Sequence, residues 1–129
     1  MKVFPNLLLL SLLLSGCSRT ENHSGDFAPF LVQRVSEFGG RIKSTESVPK
    51  VDASWTYEHD GMGFQILIQG NRFTEIDSLM KQLFGQPQIS VDQNLNGQPQ
   101  RTYSARDIGV AINCMGQTNG VYIVCLKGI

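Results

Sequence analysis

Surplus charge, histidine and recognisable catalytic motifs are scarce in this chain. Its 129 residues hold 11 Lys and Arg against 11 Asp and Glu, with no basic cluster. That balance excludes sequence-independent nucleic-acid binding, which needs many phosphate contacts, and gives no electrostatic hold on an anionic bilayer. Only two histidines are present, His23 and His59, and neither neighbours a cysteine. No CxxC pair and no G-x-S-x-G turn occurs, so the usual metal, dithiol and serine-hydrolase signals are missing. Gly39-Gly40 and Gly61-Met62-Gly63 lack the strand, helix start and lysine of a phosphate-binding loop, and read as cap and turn glycines. No apolar run reaches the ~20 residues of a membrane-spanning helix.

The longest apolar stretch lies at the start. Lys2 supplies a positive charge, Val3 to Leu14 is apolar except for Pro5, Asn6 and Ser11, and Leu14-Ser15-Gly16-Cys17 follows. The length is that of a signal peptide. An ordinary cleavage site wants small residues at minus three and minus one, whereas here a cysteine directly follows Gly16. This arrangement resembles the lipobox of bacterial lipoproteins, the alternative being a buried N-terminal helix with an incidental cysteine. The resemblance implies removal of residues 1–16, a thioether-linked diacylglycerol on Cys17 and an acylated (palmitate-type) amino group. Several acyl chains, at about 0.8 kcal/mol per buried methylene, hold a protein on a membrane without a spanning helix. With Ser18 rather than Asp after the cysteine, the best-known Gram-negative sorting rule implies the outer membrane, facing the periplasm.

Removing 16 of the 129 residues leaves 113, enough for one compact domain and too few for two. Ser18 to Gly25 is polar and aperiodic, so residues 17–25 read as lipidated cysteine plus tether, and residues 26–129 as the globular domain. Three cysteines are present. With Cys17 lipidated, Cys114 and Cys125 remain in an oxidising compartment. Asn119-Gly120 is a two-residue hairpin signal between apolar runs, and counting outward from it places Cys114 opposite Cys125. Directly opposed residues have the Cα separation a disulfide needs, and so short a loop stabilises by about 3 kcal/mol. A reduced buried pair, or a redox or metal pair, is the alternative.

Further along, Phe27, Phe30, Leu31, Val35 and Phe38 fall at helical spacing after Asp26, a candidate N-cap, and before Gly39-Gly40, which predicts a helix over residues 27–38. Residues 41–50 read as a loop. Between residues 53 and 70, a turn at Asp60-Gly61 sets Tyr57 against Phe64, Trp55 against Ile66 and Ala53 against Ile68 on one face. Thr56 with Gln65 and Glu58 with Gly63 fall on the other, which predicts one buried and one mostly wet face. Thr74 is a candidate N-cap for a second helix with the stripe Ile76, Leu79, Met80 and Leu83, ended by Gly85 and Pro87. Residues 88–100 read as a strand edge and a loop, followed by strands over 101–104, 108–115 and 121–127. The class is therefore α+β, an antiparallel sheet of about five to six strands with two helices packed on it.

In the last hairpin Val110, Ile112 and Cys114 share a face with Val121, Ile123 and Cys125. The opposite face carries Ala111, Met115, Tyr122, Val124 and Leu126, and is also apolar. A central strand pair covered by both helices is the preferred account; otherwise Met115, Tyr122, Val124 and Leu126 present an apolar surface to a partner.

Two clusters invite chemistry. Asp92 to Gly97 matches the first half of a calcium loop, D-x-[DN]-x-[DN]-G, but Tyr103 stands where a bidentate Glu is required, so a polar turn is the better reading. His59 and Asp60, with Glu58, sit at a predicted hairpin tip without a nucleophile or a substrate-positioning group. No catalytic residue, metal or cofactor is assigned. Finally, a helix, then Leu83-Phe84-Gly85-Gln86-Pro87, then a strand meander resembles the small helix-plus-sheet lipoproteins of the outer-membrane barrel-assembly machinery and related inhibitor domains, in which a helix ending in G-x-P feeds an antiparallel sheet. It covers residues 73–126, and this chain carries an additional hairpin before the helix. The expectation is a lipid-anchored envelope module that binds an envelope protein, serving assembly or maintenance, with a small-ligand carrier and, last, a periplasmic enzyme as alternatives.

Overall fold

A computed structural model describes residues 20–95, 97–105 and 110–127; the leader and Cys17 lie outside them. Among the described residues the chain forms β1 (Glu21–Asp26), α1 (Phe27–Glu37), β2 (Asp52–His59), β3 (Gly63–Gln69), α2 (Phe73–Phe84), β4 (Ile89–Val91), β5 (Gln100–Ser104), β6 (Val110–Gln117) and β7 (Gly120–Lys127). The strands make one seven-stranded sheet in the order β1-β2-β3-β7-β6-β5-β4, with every pairing antiparallel. This is an α+β architecture with more strands than the five to six expected. The chain builds one half of the sheet, crosses through α2 to the far edge at β4, and meanders back until β7 closes against β3.

Both helices bury an apolar stripe on the same side of the sheet. In α1, Phe27, Ala28, Leu31 and Val35 face inward, and the Asp26 carboxylate accepts from the backbone N–H of Ala28 at 3.3 Å and of Val51 at 3.1 Å. One acid thus caps the helix and fixes the chain that re-enters at β2. In α2 the stripe Ile76, Leu79, Met80 and Leu83 is wholly buried, each side chain stabilising by roughly 1.5–3 kcal/mol. This helix starts at Phe73, one residue before the expected Thr74 cap. Its first turn is held instead by Arg72, whose guanidinium donates to Glu75 at 2.7 and 3.0 Å and to the Asp52 carbonyl. Gly85, at φ +89°, ends the helix in the left-handed region that glycine adopts at least cost. A polar pin joins α2 to the sheet: the Tyr103 hydroxyl donates to the buried Asp77 carboxylate, which also meets Lys81 at 3.3 Å and Arg101 at 3.8 Å.

Several expectations are corrected. Residues 21–26 are an edge strand paired with β2, where the polar composition suggested a tether. Pairing, not hydrophobic periodicity, orders them: they satisfy the backbone groups on the free side of β2, and His23 stacks on Trp55 at 5.8 Å and packs against Phe30 at 4.7 Å. The first hairpin turns at Gly61-Met62, because the Asp60 carboxylate accepts from the N–H of Met62 at 2.7 Å and of Gly63 at 3.2 Å. Tyr57 therefore faces Ile66, and Trp55 faces Ile68. A register shift of two residues changes partners but leaves every side chain on its expected face.

The last hairpin shifts likewise. Gln117 pairs with Gly120, so the turn is Thr118-Asn119 rather than Asn119-Gly120. Gly120 is a strand residue because a Cβ there would meet the Ile68 carbonyl oxygen at 2.9 Å; only glycine tolerates so close an approach of β3. Cys114 then lies opposite Ile123 and Cys125 opposite Ile112. The two cysteines are diagonal neighbours, about 7–8 Å apart at Cα in such a pair, beyond the ~4.4–6.8 Å a disulfide spans. Both are buried free thiols.

Candidate interaction surface

Alternation along the strands gives the sheet two unlike faces. One carries Trp55, Tyr57, Phe64, Ile66, Ile68, Tyr103, Ile112, Cys114, Val121, Ile123 and Cys125, all buried in one core with the stripes of α1 and α2. No helix among the described residues packs on the other. The expected covering of the last hairpin by helices on both sides is thereby corrected: the two helices share one side.

The registers lay out this second face in rows that cross the sheet. Thr56, Leu67, Tyr122, Met115, Gln100 and Val91 form one row, and Glu58, Gln65, Val124, Asn113, Thr102 and Ile89 the next. Leu126 stands beside Ala111 and Gly63 in a third. Met115, Tyr122, Val124 and Leu126 are thus brought onto one face, with Met115 directly opposite Tyr122. Their accessibility differs. Met115 and Val124 are half-buried, Leu126 is 50% exposed and Tyr122 only 9%. Three members of the apolar set were not singled out from sequence: Leu67 in the strand read as wet on this side, and Ile89 and Val91, exposed on the edge strand β4. The alternation Ile89, Ser90, Val91 was the available signal, obscured by the surrounding amides.

A polar chain crosses the apolar rows. The Tyr122 hydroxyl donates to Gln65 Oε1, Gln65 Nε2 donates to Glu58 Oε1 at 2.9 Å, and Thr20 Oγ1 donates to Glu58 Oε2 at 3.4 Å. It links β7, β3, β2 and the residue preceding β1, and it explains how the Glu58 side chain is buried at 2% exposure: a buried polar group is tolerated when hydrogen bonds replace its water. Burial pushes the Tyr122 hydroxyl up to about 12, and the nearby Glu58 charge adds to the rise. Further along, Thr102 Oγ1 donates to Asn113 Oδ1 at 2.7 Å.

The hairpin tip assembles no acid–base constellation. Glu58 lies on the helix-free face, while His59, the next residue, stacks on Tyr57 at 5.3 Å on the other. The Asp60 carboxylate is engaged by the turn amides. In the half-matching calcium segment, Asn94 Oδ1 accepts from the Gln98 N–H at 3.0 Å and Asp92 pairs with Arg101 at 3.7 Å; Asn96 lies outside the described residues. Among the described residues no group of three or more His, Cys, Asp or Glu side chains could hold a metal ion. Cys114 and Cys125 lie on the helix-covered face, where burial pushes both thiols up, Cys125 to about 12. No helix among the described residues is long and apolar enough to cross a membrane.

No family model, curated protein or solved structure matches this chain.

Proposed function

We propose that this chain is a lipid-anchored protein of the bacterial envelope, held through Cys17 on the periplasmic side of the outer membrane, and that it binds an envelope protein through the helix-free face of its sheet in assembly or maintenance. The observation that carries the binding role is the set of apolar residues Leu67, Met115 and Val91 in one row, flanked by Val124 and Ile89, on a face that neither helix covers. Apolar surface of this kind on an otherwise well-covered domain marks interaction sites. Tyr122, only 9% exposed, is too buried to be a main contact point.

The test is a paired substitution. Met115→Lys with Val124→Lys is expected to leave thermal unfolding and the circular-dichroism spectrum close to those of the native protein. A photo-crosslinking residue at Gln100 in the anchored protein should capture a partner in its own membranes and lose it in the double variant. Unchanged capture would remove this face as the contact surface.

Small-ligand carriage is the second reading. A groove of about 400 Å³ between α1 and the 41–50 loop, lined by Ala28, Pro29, Val32, Val48 and Leu83, is its basis, since ligand pockets run about 300–1,000 Å³. Apolar-ligand binding abolished by Val32→Asp, with the crosslink intact, would favour it.

A further inference from the structure

The strand β1 stands where a tether was expected, and this leaves almost no chain between the lipid-bearing position and the folded domain. Thr20 continues the β1–β2 register opposite Glu58 and hydrogen-bonds to its carboxylate at 3.4 Å. Only Ser18 and Arg19 separate it from Cys17, and three residues reach at most about 10 Å. The anchor therefore enters the domain at one end of the sheet. That end is formed by the β2–β3 turn, whose first residue, Asp60, lies two residues after Glu58, and by the end of β7, where Leu126 lies opposite Gly63.

Two large apolar side chains are exposed there, Met62 at 69% and Leu126 at 50%. Beside them lies a partly open cavity of about 110 Å³, lined on its apolar side by Met62, Val124 and Leu126 and on its polar side by Glu58, His59 and Asp60. The turn has a fixed shape, since Asp60 accepts from the N–H of Met62 and of Gly63, so Met62 is held at the tip by the turn itself.

Resting on the lipid-anchor reading, we propose that this end of the sheet is a second membrane contact: the β2–β3 tip, through Met62 and Leu126, sits among the lipid headgroups beside the acylated Cys17. The occupant is a bilayer surface rather than a protein, because the short reach from Cys17 forces this corner against the lipid whenever the anchor is inserted. The contact orients the molecule. The β4–β5 loop, with fully exposed Leu95, belongs to the opposite end of the sheet and points away from the membrane, and the rows of the helix-free face, which cross the strands, lie parallel to the lipid surface and follow one another from lipid to periplasm.

The test uses full-length lipidated protein in phosphatidylcholine vesicles, whose zwitterionic surface leaves net headgroup charge out of the comparison. Met62→Cys and, separately, Leu95→Cys are labelled with an environment-sensitive fluorophore; Cys114 and Cys125 are buried and remain unlabelled. Flotation with the vesicles and the intact mass of the Cys17 peptide report the anchor. The expected result is blue-shifted emission at Met62, quenched several-fold more by nitroxide-bearing lipid than emission at Leu95. Protein that floats while both labels report water equally overturns the membrane contact and leaves the anchor standing. Protein that carries no lipid on Cys17 and fails to float overturns the anchor reading and this proposal with it.

Discussion

Gly63 shows how much one missing side chain decides in this fold. It opens β3 opposite Leu126, and a Cβ there would run into the Cys125 carbonyl oxygen, a contact with backbone that no rotamer relieves. Gly61, two residues earlier in the turn, has nothing within 4 Å of a Cβ and no left-handed φ. Gly63→Ala must push β3 from β7, and is expected to cost at least about 1–3 kcal/mol, the range for overpacking a close contact. Gly61→Ala should stay within about 0.5 kcal/mol, as surface substitutions do. Urea unfolding midpoints of the two variants decide this; equal midpoints would mean that the β3–β7 spacing yields. Sequence reading placed both glycines in a turn. The distinction was invisible there because it depends on β7, more than fifty residues away in the chain.

At the scale of elements, local chemistry made the helices and strands legible while the strand partners were set elsewhere. The stripes of α1 and α2 and the alternation of β2, β3, β6 and β7 were readable because each segment carries its own periodicity. Registers were not, since in both hairpins the glycine that suggested the turn is placed by other contacts: Asp60 draws the first turn onward by one residue, and the approach of β3 holds Gly120 within its strand. β1 escaped because a polar edge strand has no pattern of its own and becomes a strand by pairing. The slipped register has a chemical consequence. Cys114 and Cys125 are wholly buried, diagonal rather than opposed, and their thiols are pushed up by burial, so little thiolate forms near neutrality and none is reachable. Both are expected to resist an aromatic disulfide reagent in the native protein and to react fully in denaturant. Absence of reactive thiol in denaturant under non-reducing conditions would restore the cross-strand bond.

For the molecule as a whole, one face of the sheet is closed by two helices and the other crossed by a hydrogen-bonded polar chain, and all three tyrosines belong to this scheme. Tyr57 and Tyr103 stand on the closed side and Tyr122 on the helix-free side. Burial is the first cause raising each hydroxyl above its ordinary value. For Tyr103 the Asp77 carboxylate adds to the rise, and for Tyr122 the Glu58 charge does, while Arg34 partly offsets it at Tyr57. A group whose folded pKa lies above its unfolded one contributes stability that is complete below the unfolded value, near 10, and declines as pH rises from there toward the folded value. For Tyr122 that window runs from about 10 to about 12. Stability in urea is therefore expected to be insensitive to tyrosine ionisation below pH 10 and to fall above it. Tyrosinate absorbance should lag behind that of free tyrosine and then appear together with loss of the fold, seen as a red shift in emission from Trp55, the single tryptophan and only 3% exposed. Tyr122→Phe separates the two faces. It removes the hydroxyl that donates to Gln65, so alkaline unfolding should move to higher pH while one tyrosinate signal disappears. An unchanged alkaline midpoint would place the pH-sensitive group on the helix side, at Tyr57 or Tyr103, and not in the chain that ends at Glu58.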